Sequence, residues 1–220
     1  MATSTVEDYL KAILLEEERE PGLAVATGRL AALVAVTPGT VTAMLKTLAD
    51  SGLVAYEPYA GAQLTTAGRQ LALHVLRRHR LIELFLVQVV GLDWSEVHDE
   101  ADRLEHAVSE RLIERMDEML DRPAVDPHGD PIPTAALKVR ALDHATLAEA
   151  GVGVRCRVAR IADQSAEFLR LVEKVGLRPG RRVRVTARDE AADTLEIELD
   201  RGRRASLGLR AAGKIFVERV

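Results

Sequence analysis

The stretch VHDEADRLEH, residues 97–106, combines two histidines with four carboxylates. On a helix that turns about 100° per residue, four of these groups project within one arc of about 100°. They are His98, Asp102, Glu105 and His106. The apolar residues of this stretch fill the neighbouring arc, whereas a purely solvated face more often lies opposite the apolar one. The pattern therefore predicts imidazole and carboxylate groups that hold a ligand beside a buried core.

A second pair, His79 and Glu83, shares one face of the preceding predicted helix because the residues are four apart. Helical bundles build metal sites from such pairs on neighbouring helices. Any single pair is more often part of a solvated surface, but the six residues together favour a metal site. Carboxylates and imidazoles without a thiolate suit Mn²⁺ or Fe²⁺ better than a structural Zn²⁺. The chain has no HEXXH motif and no candidate nucleophile or base beside these groups, so the sequence does not indicate an enzyme.

The N-terminal part of the chain predicts a winged helix-turn-helix. Helices are expected over residues 5–18 and 27–35, and from Pro38 to a stop at Gly52, before two short strand-like pieces. The third helix offers small and hydroxyl-bearing side chains that suit contacts with phosphates, base edges and thymine methyl groups. The candidate DNA-binding residues are Thr37, Pro38, Gly39, Thr40, Thr42 and Lys46. Helix capping is the alternative interpretation of these threonines, and it applies to Thr37 as well.

Two long helices and a small β-domain are expected next. The first helix covers residues 66–91 and the second roughly 95–120, and the four prolines of residues 121–133 prevent its continuation. We interpret His74, His128 and His144 as surface or linker residues, and residues 137–151 as a tether. From residue 152 onward, alternating strand-like segments and one short helix predict an SH3-like small barrel.

The expected fold class is mainly α with a C-terminal all-β domain. The predicted parts are a winged helix-turn-helix DNA-binding domain (1–73), a helical metal-binding and dimerisation domain (74–140), a linker (141–151) and an SH3-like domain (152–220).

Charge divides unevenly along the 220 residues. Residues 1–150 contain 14 Lys+Arg against 24 Asp+Glu, a net of -10, and residues 151–220 contain 16 against 10, a net of +6. DNA-binding proteins are usually basic, so another feature must supply positive charge or organisation if the front part binds DNA. The sequence lacks an apolar run of roughly 18 residues and a signal-type N-terminus, so we expect a cytoplasmic protein without membrane contact. Cys156 is the only cysteine; it excludes an internal disulfide or thiolate zinc site and is expected in a strand core.

The chain resembles the diphtheria toxin repressor family, which includes iron-dependent repressors and manganese transport regulators. The resemblance rests on VTPGTVTAMLKTLADSGLV, LTTAGR, RRHRLIELFL, GLDWSEVHDEADRLEH and DPHGDPIP. It implies a homodimeric, metal-dependent repressor of metal-uptake genes that binds a palindromic operator in double-stranded DNA and takes no small-molecule substrate. It also implies an ancillary metal site at His79, Glu83 and His98, and a primary site at Asp8, Asp102, Glu105 and His106.

The match to the family pattern is incomplete. Iron-responsive members carry Met and Cys where this chain has Asp8 and Asp102, so Mn²⁺ is favoured and Fe²⁺ comes second. Manganese regulators with a binuclear site carry Glu where this chain has Lys11. Three residues of the last domain are candidates to complete the ancillary site: Asp163, Gln164 and Glu167.

The resemblance implies that a metal bridge between the first helix and the dimer helices fixes the separation of the two DNA-reading helices. Two other functions stay open. One is a metal-independent winged-helix regulator that senses an organic ligand, and the other is a metal-storage protein or metal-dependent enzyme.

Overall fold

The computed structural model describes residues 3–220 of the chain, which divide into two compact units. The first unit runs up to His79 and includes residues 133–138, and the second comprises residues 80–132 and 139–220. The boundary falls within one continuous helix. Its elements in chain order are α1 (Ser4–Arg19), α2 (Thr27–Leu33), α3 (Pro38–Asp50), β1 (Val54–Glu57), β2 (Gly61–Leu64), α4 (Thr66–Phe85), α5 (Val97–Leu104), α6 (Glu110–Met119), β3 (Ala145–Thr146), β4 (Arg155–Ile161), α7 (Ala166–Val175), β5 (Arg182–Asp189), β6 (Thr194–Leu199), β7 (Arg204–Gly208), α8 (Leu209–Ala212) and β8 (Ile215–Arg219).

The first unit contains the predicted winged helix-turn-helix. Its helices bury one apolar face each, made in α1 by Leu10, Ile13 and Leu14 and in α3 by Val41, Leu45 and Leu48. Proline at the start of α3 suits a position whose N–H needs no helical partner. Gly52 follows the helix with φ +70°, a left-handed conformation that glycine adopts without strain. Strands β1 and β2 then pair antiparallel from Val54↔Leu64 to Glu57↔Gly61 and form the wing.

The helical segments follow the sequence prediction with one correction. Helix α4 passes into a π-helical turn over Leu86–Val90, and Gly91 ends it in the left-handed conformation, as expected. The single helix expected over residues 95–120 is wrong, because α5 ends at Leu104 and α6 begins at Glu110. Ser109 caps the new helix, since its hydroxyl accepts a hydrogen bond from the backbone N–H of Leu112. No single helix among residues 3–220 has the length and apolar character needed to cross a bilayer.

The C-terminal part of the second unit is an antiparallel sheet with the strand order β3-β8-β4-β5-β6-β7. Inward residues of alternating strands form its core with α7, and Cys156 lies in this core as predicted. Trp94, from the segment before α5, belongs to the same core. Strand β3 and the fully buried Leu147 come from the stretch for which the sequence predicts a tether. The backbone N–H of Leu147 donates to the carbonyl of Ile215, which fixes this stretch on β8.

Candidate metal centres

Glu83 is a fully buried carboxylate at the centre of the second unit's polar cluster. It lies on α4, where its Oε1 is 3.1 Å from Nδ1 of His98. Its second oxygen, Oε2, is 3.9 Å from Nδ1 of His128. One oxygen of Glu83 therefore faces a predicted ligand on α5, and the other faces a histidine that the sequence analysis assigned to the surface or a linker.

The loop after α6 brings Asp126 and His128 to this carboxylate. Asp126 Oδ1 accepts hydrogen bonds from the backbone N–H groups of His128 (2.8 Å) and Asp130 (2.9 Å). Ligand atoms of Glu83, Asp126 and His128 all lie within 4.8 Å of one another, and all three residues are buried. We call these three residues the buried triad.

Two atoms of the buried triad lack a hydrogen-bond partner among residues 3–220: Asp126 Oδ2 and His128 Nδ1. The other ring nitrogen of His128, Nε2, is 2.9 Å from the carbonyl oxygen of Trp94, and the imidazole stacks on the Trp94 ring. A proton on Nε2 satisfies that carbonyl and leaves the Nδ1 lone pair directed at the carboxylates. A histidine that ligates a metal is held in this way in most metal sites.

The electrostatics of the triad favour a cation. Burial, together with the charges of Asp130 and Glu83, raises the pKa of the Asp126 carboxyl well above its ordinary value. The guanidinium of Arg80 lies 3.8 Å from both Asp126 and Asp130, and that of Arg160 lies 3.0 Å from Asp130. A bound metal ion stabilises desolvated carboxylates such as that of Asp126 by supplying a large local positive charge. An oxygen-and-imidazole donor set fits Mn²⁺ or Fe²⁺.

The interpretation of His128 as a surface or linker residue is therefore wrong. The side chain of His128 is fully buried. The sequence carried one signal that points to this, because His128 stands between Asp126 and Asp130 in a segment with proline and glycine. Ligands at alternate positions of one loop occur in metal-binding loops such as that of the EF-hand, but the sequence does not reveal which helix this loop contacts.

The remaining predicted ligands of the second unit, Asp102, Glu105 and His106, lie at the end of α5 and directly after it. His98 Nε2 is 3.8 Å from Asp102 Oδ2, one helical turn further along. Glu105 is fully buried, and its Oε1 is 3.4 Å from Nε2 of His106. Both residues follow the last turn of α5, so the break before α6 sets their direction.

Two predicted ligands belong to the first unit. Asp8 is half-buried on α1. His79 is buried near the end of this unit, and its Nδ1 lies 3.5 Å from the Lys11 ammonium nitrogen. His79 precedes Glu83 by four residues on α4, so both side chains project from the same side of that helix.

The three candidates from the last domain have distinct surroundings. Asp163 accepts hydrogen bonds from Ser165 and, at 2.7 Å, from the Lys214 ammonium group. Gln164 donates a hydrogen bond of 2.6 Å to Asp130 Oδ2. Glu167 is exposed in the first turn of α7.

Comparison with known proteins matches three family models along the chain. They describe an iron-dependent repressor N-terminal DNA-binding domain (residues 1–62), an iron-dependent repressor metal-binding and dimerisation domain (65–134) and a FeoA domain (145–219). A solved manganese-dependent transcriptional repressor in complex with manganese is 40% identical with a TM-score of 0.89, and the match covers 98% of this chain and 100% of that one. The chain belongs to the diphtheria toxin repressor family.

Curated members of this family align over part of their length. The iron-dependent repressor IdeR of Mycobacterium leprae (strain TN) is 40% identical over 130 residues, which are 59% of this chain and 55% of that protein. The diphtheria toxin repressor of Corynebacterium glutamicum (strain ATCC 13032) is 38% identical over 149 residues, 67% of this chain and 63% of that protein. The chain thus spans less than two thirds of these curated relatives. The diphtheria toxin repressor family consists of metal-dependent DNA-binding repressors, which are not enzymes.

The N-terminal end of α3, the predicted DNA-reading helix, is exposed from Thr37 to Thr40. The Thr37 hydroxyl accepts a hydrogen bond from the Thr40 backbone N–H, and Thr42 donates to the carbonyl of Pro38, so both hydroxyls take part in the helix's own structure. A Cβ added at Gly39 would approach only Thr37 Oγ1, at 3.8 Å. The fold therefore does not require glycine at position 39. Lys46 is exposed further along the helix.

Proposed function

We propose that this chain is a Mn²⁺-dependent repressor, with Fe²⁺ as the second choice, that controls genes for metal-ion uptake and homeostasis. The observation that carries the proposal is the buried triad, in which Asp126 Oδ2 and His128 Nδ1 have no hydrogen-bond partner among the described residues. An all-oxygen-and-imidazole donor set favours Mn²⁺ over metals that prefer thiolates. Similarity to a manganese-dependent repressor solved with manganese supports the same choice.

We propose two metal centres. The primary centre consists of Asp8, Asp102, Glu105 and His106. The ancillary centre consists of His79, Glu83 and His98, and we add Asp126 and His128 as further ligands because they face the second oxygen of Glu83. Bound ions supply positive charge and directed ligand bonds at these groups.

The chain's own residues turn this binding into DNA affinity. Asp8 lies on α1 of the winged helix-turn-helix, whereas Asp102, Glu105 and His106 follow one another at the end of α5. Without a cation, the carboxylates of these segments repel each other. Once held together, they fix the winged helix against the dimer helices. In a homodimer the two α3 helices then stand at the spacing that a palindromic operator requires, about one DNA turn apart.

We assign these roles to the regions that the sequence predicts. Residues 1–73 read DNA through Thr37, Pro38, Gly39, Thr40, Thr42 and Lys46. Residues 74–140 bind metal and form the dimer. Residues 141–151 form the linker to the SH3-like domain, which comprises residues 152–220. The protein works where its operator lies, in the cytoplasm.

A DNA mobility-shift assay tests this function. The purified chain is titrated onto operator DNA with chelator and then with added Mn²⁺, Fe²⁺ or Zn²⁺. We expect the shift to require Mn²⁺ or Fe²⁺ and to be lost in Asp102→Ala. The matched control is Asp99→Ala, an exposed carboxylate of the same helix, which keeps the metal response. A shift of Asp102→Ala at low metal concentration contradicts the proposed bridge.

The competing function is a metal-independent winged-helix regulator of an organic ligand. The same assay separates the two, because DNA affinity that is unchanged by chelator supports the organic-ligand regulator.

A further inference from the structure

The loop of residues 126–131, which supplies two members of the buried triad, packs directly on strand β4 of the barrel. The backbone N–H of Ile161 donates to the carbonyl of His128 at 2.8 Å. Gly129, with φ +91°, lies so close to β4 that a Cβ would stand 2.0 Å from the Ala159 carbonyl oxygen. The register of β4 against β8 shifts at this point, between Val158 and Arg160. The loop therefore contacts the backbone of β4 directly, at a β-bulge, where the regular pairing of the strands is interrupted.

Asp130 ties the same loop to the barrel through side chains. Its Oδ1 accepts a hydrogen bond from Arg160 at 3.0 Å, and its Oδ2 accepts one from Gln164 at 2.6 Å. The Arg160 guanidinium also lies over the Phe216 ring of β8, 4.3 Å from its centroid. Both side chains that donate hydrogen bonds to Asp130 thus come from the C-terminal domain, whereas Arg80 of α4 lies further away, at 3.8 Å.

The backbone of Asp130 connects this attachment to the triad. Its N–H donates to Asp126 Oδ1, the oxygen that also accepts from His128 N–H. These two hydrogen bonds orient the Asp126 carboxylate, which leaves Oδ2 turned away from the loop backbone. We therefore expect a displacement of the Asp130 backbone to reorient the Asp126 carboxylate.

We propose that Asp130 is a positioning residue through which the barrel sets the metal affinity of the buried triad. Arg160 and Gln164 hold the Asp130 side chain, the Asp130 backbone holds Asp126, and the ligand oxygen is preorganised. The proposal rests on the proposed function, since it requires the triad to bind the ion. Groups that orient metal ligands typically change metal affinity by about 10- to 100-fold when they are removed.

Arg160→Met is the decisive substitution because electrostatics and positioning predict opposite signs. Loss of a positive charge near the triad strengthens cation binding if charge alone matters. Loss of the Asp130 anchor weakens it if Arg160 acts through position. Gln164→Ala changes no charge. Because Gln164 donates to Asp130, weaker binding there reports position when hydrogen exchange of the Asp130 amide rises with it, and loss of a direct ligand when it does not. Asp130→Asn tests rescue, because the amide oxygen still accepts from Arg160, whereas Asp130→Ala cannot.

The experiment titrates the full chain with Mn²⁺ and follows the electron paramagnetic resonance signal of the free ion. We expect Arg160→Met and Asp130→Ala to bind Mn²⁺ about 10- to 100-fold more weakly at the triad, with Asp130→Asn between them and the wild type. Hydrogen exchange of the His128 and Asp130 amides should rise in Arg160→Met. The matched control is Arg184→Met, which breaks a 3.0 Å pair with Glu198 elsewhere in the barrel and should bind Mn²⁺ within about twofold of wild type.

Each outcome decides one of the two claims. If the wild type binds Mn²⁺ and Asp126→Asn loses that site, but Arg160→Met binds equally well or more tightly, the positioning role of Asp130 is wrong and the metal site stands. If neither the wild type nor any variant binds Mn²⁺ or Fe²⁺, the proposed function fails. If Asp130→Ala does not fold, Arg160→Met and Gln164→Ala decide, because both residues are partly exposed at the barrel surface.

Discussion

The charged side chains of the winged helix pair at its surface, whereas those around Glu83 lie inside the second unit. In the winged helix, Glu16 receives hydrogen bonds of 2.6 and 3.0 Å from Arg29, whose side chain is half exposed. Glu17 likewise pairs with the exposed Arg69 and accepts from the backbone of Leu64. The core beneath these pairs is apolar. Donor groups of the winged helix itself therefore balance these two carboxylates.

The buried cluster has the opposite composition. Glu83, Asp126 and Asp130 are all buried, and the buried Arg80 lies 3.8 Å from both Asp126 and Asp130. In this region the groups that bind a ligand are also the groups whose burial costs free energy. The two regions therefore differ in whether the residues that bind a ligand also determine the stability of the fold. In the winged helix, a predicted DNA-reading residue such as Gly39 can change without cost to the fold. In the buried cluster, a change to a ligand group also changes stability.

The largest expected effect comes from Asp126→Asn. Mn²⁺ at 100 times its dissociation constant for the triad should add about 2.7 kcal/mol to the free energy of unfolding of the wild type, and this contribution of the triad should be lost in the variant. Without metal the variant should be as stable as the wild type or more so, because the amide keeps the Oδ1 hydrogen bonds and removes a desolvated charge. Urea denaturation with and without Mn²⁺ measures both quantities.

Asp93→Asn is the matched control for this prediction. Asp93 also accepts hydrogen bonds through one oxygen, from the backbone and side chain of Ser95, but it does not belong to the triad. Its Mn²⁺ response should equal that of the wild type. An Asp126→Asn protein that retains the full gain in stability would show that the cluster is an ordinary buried network.

The sequence predicts the winged helix well because its signals are local. Thr37 and Pro38 start α3, Gly52 ends it, and apolar residues at helical spacing choose the buried face. The long α4 with its stop at Gly91 and the strands of the barrel are predicted for the same reason. The error over residues 95–120 is also local: Ser109 is a helix cap within an otherwise continuous helical pattern, and a cap of this kind divides the helix.

The buried triad escapes a sequence analysis because its members come from distant segments. Glu83 lies on α4, but Asp126 and His128 lie more than 40 residues later in a loop without periodicity. The position of the triad depends on the close contact of Gly129 with β4 and on the hydrogen bond from Arg160 to Asp130. Neither contact leaves a repeating pattern in the chain. By contrast, His98, Asp102, Glu105 and His106 share one segment, so their spacing alone marks them as a set.

The second prediction concerns Gly39→Ala, which should separate function from stability in the winged helix. The added methyl group has space, and alanine favours the helix, so unfolding should cost up to about 1 kcal/mol more. Operator affinity should fall by about tenfold, or roughly 1.4 kcal/mol, if DNA approaches this glycine closely. Mobility shift at saturating Mn²⁺ and urea denaturation give the two values. Unchanged operator affinity would remove Gly39 from the DNA-reading surface.

The smallest expected effect is the pH dependence that Glu16 gives to the winged helix. The hydrogen bond from Arg29 lowers the pKa of the Glu16 carboxyl below its ordinary value. The folded chain therefore binds fewer protons at Glu16 than the unfolded chain does. The stabilisation is present above the ordinary pKa and is lost as pH falls through the lowered one. Glu16→Gln should flatten this acidic part of the stability curve, and at neutral pH it should lower the free energy of unfolding by no more than about 1 kcal/mol, as is typical of exposed pairs.

Thermal denaturation between pH 3 and pH 7 measures the slope, with Glu20→Gln as the control because Glu20 is exposed next to α1. Equal slopes in the Glu16→Gln chain and the wild type would mean that Arg29 does not hold Glu16 in solution, and the contrast with the buried cluster would then rest on the cluster alone.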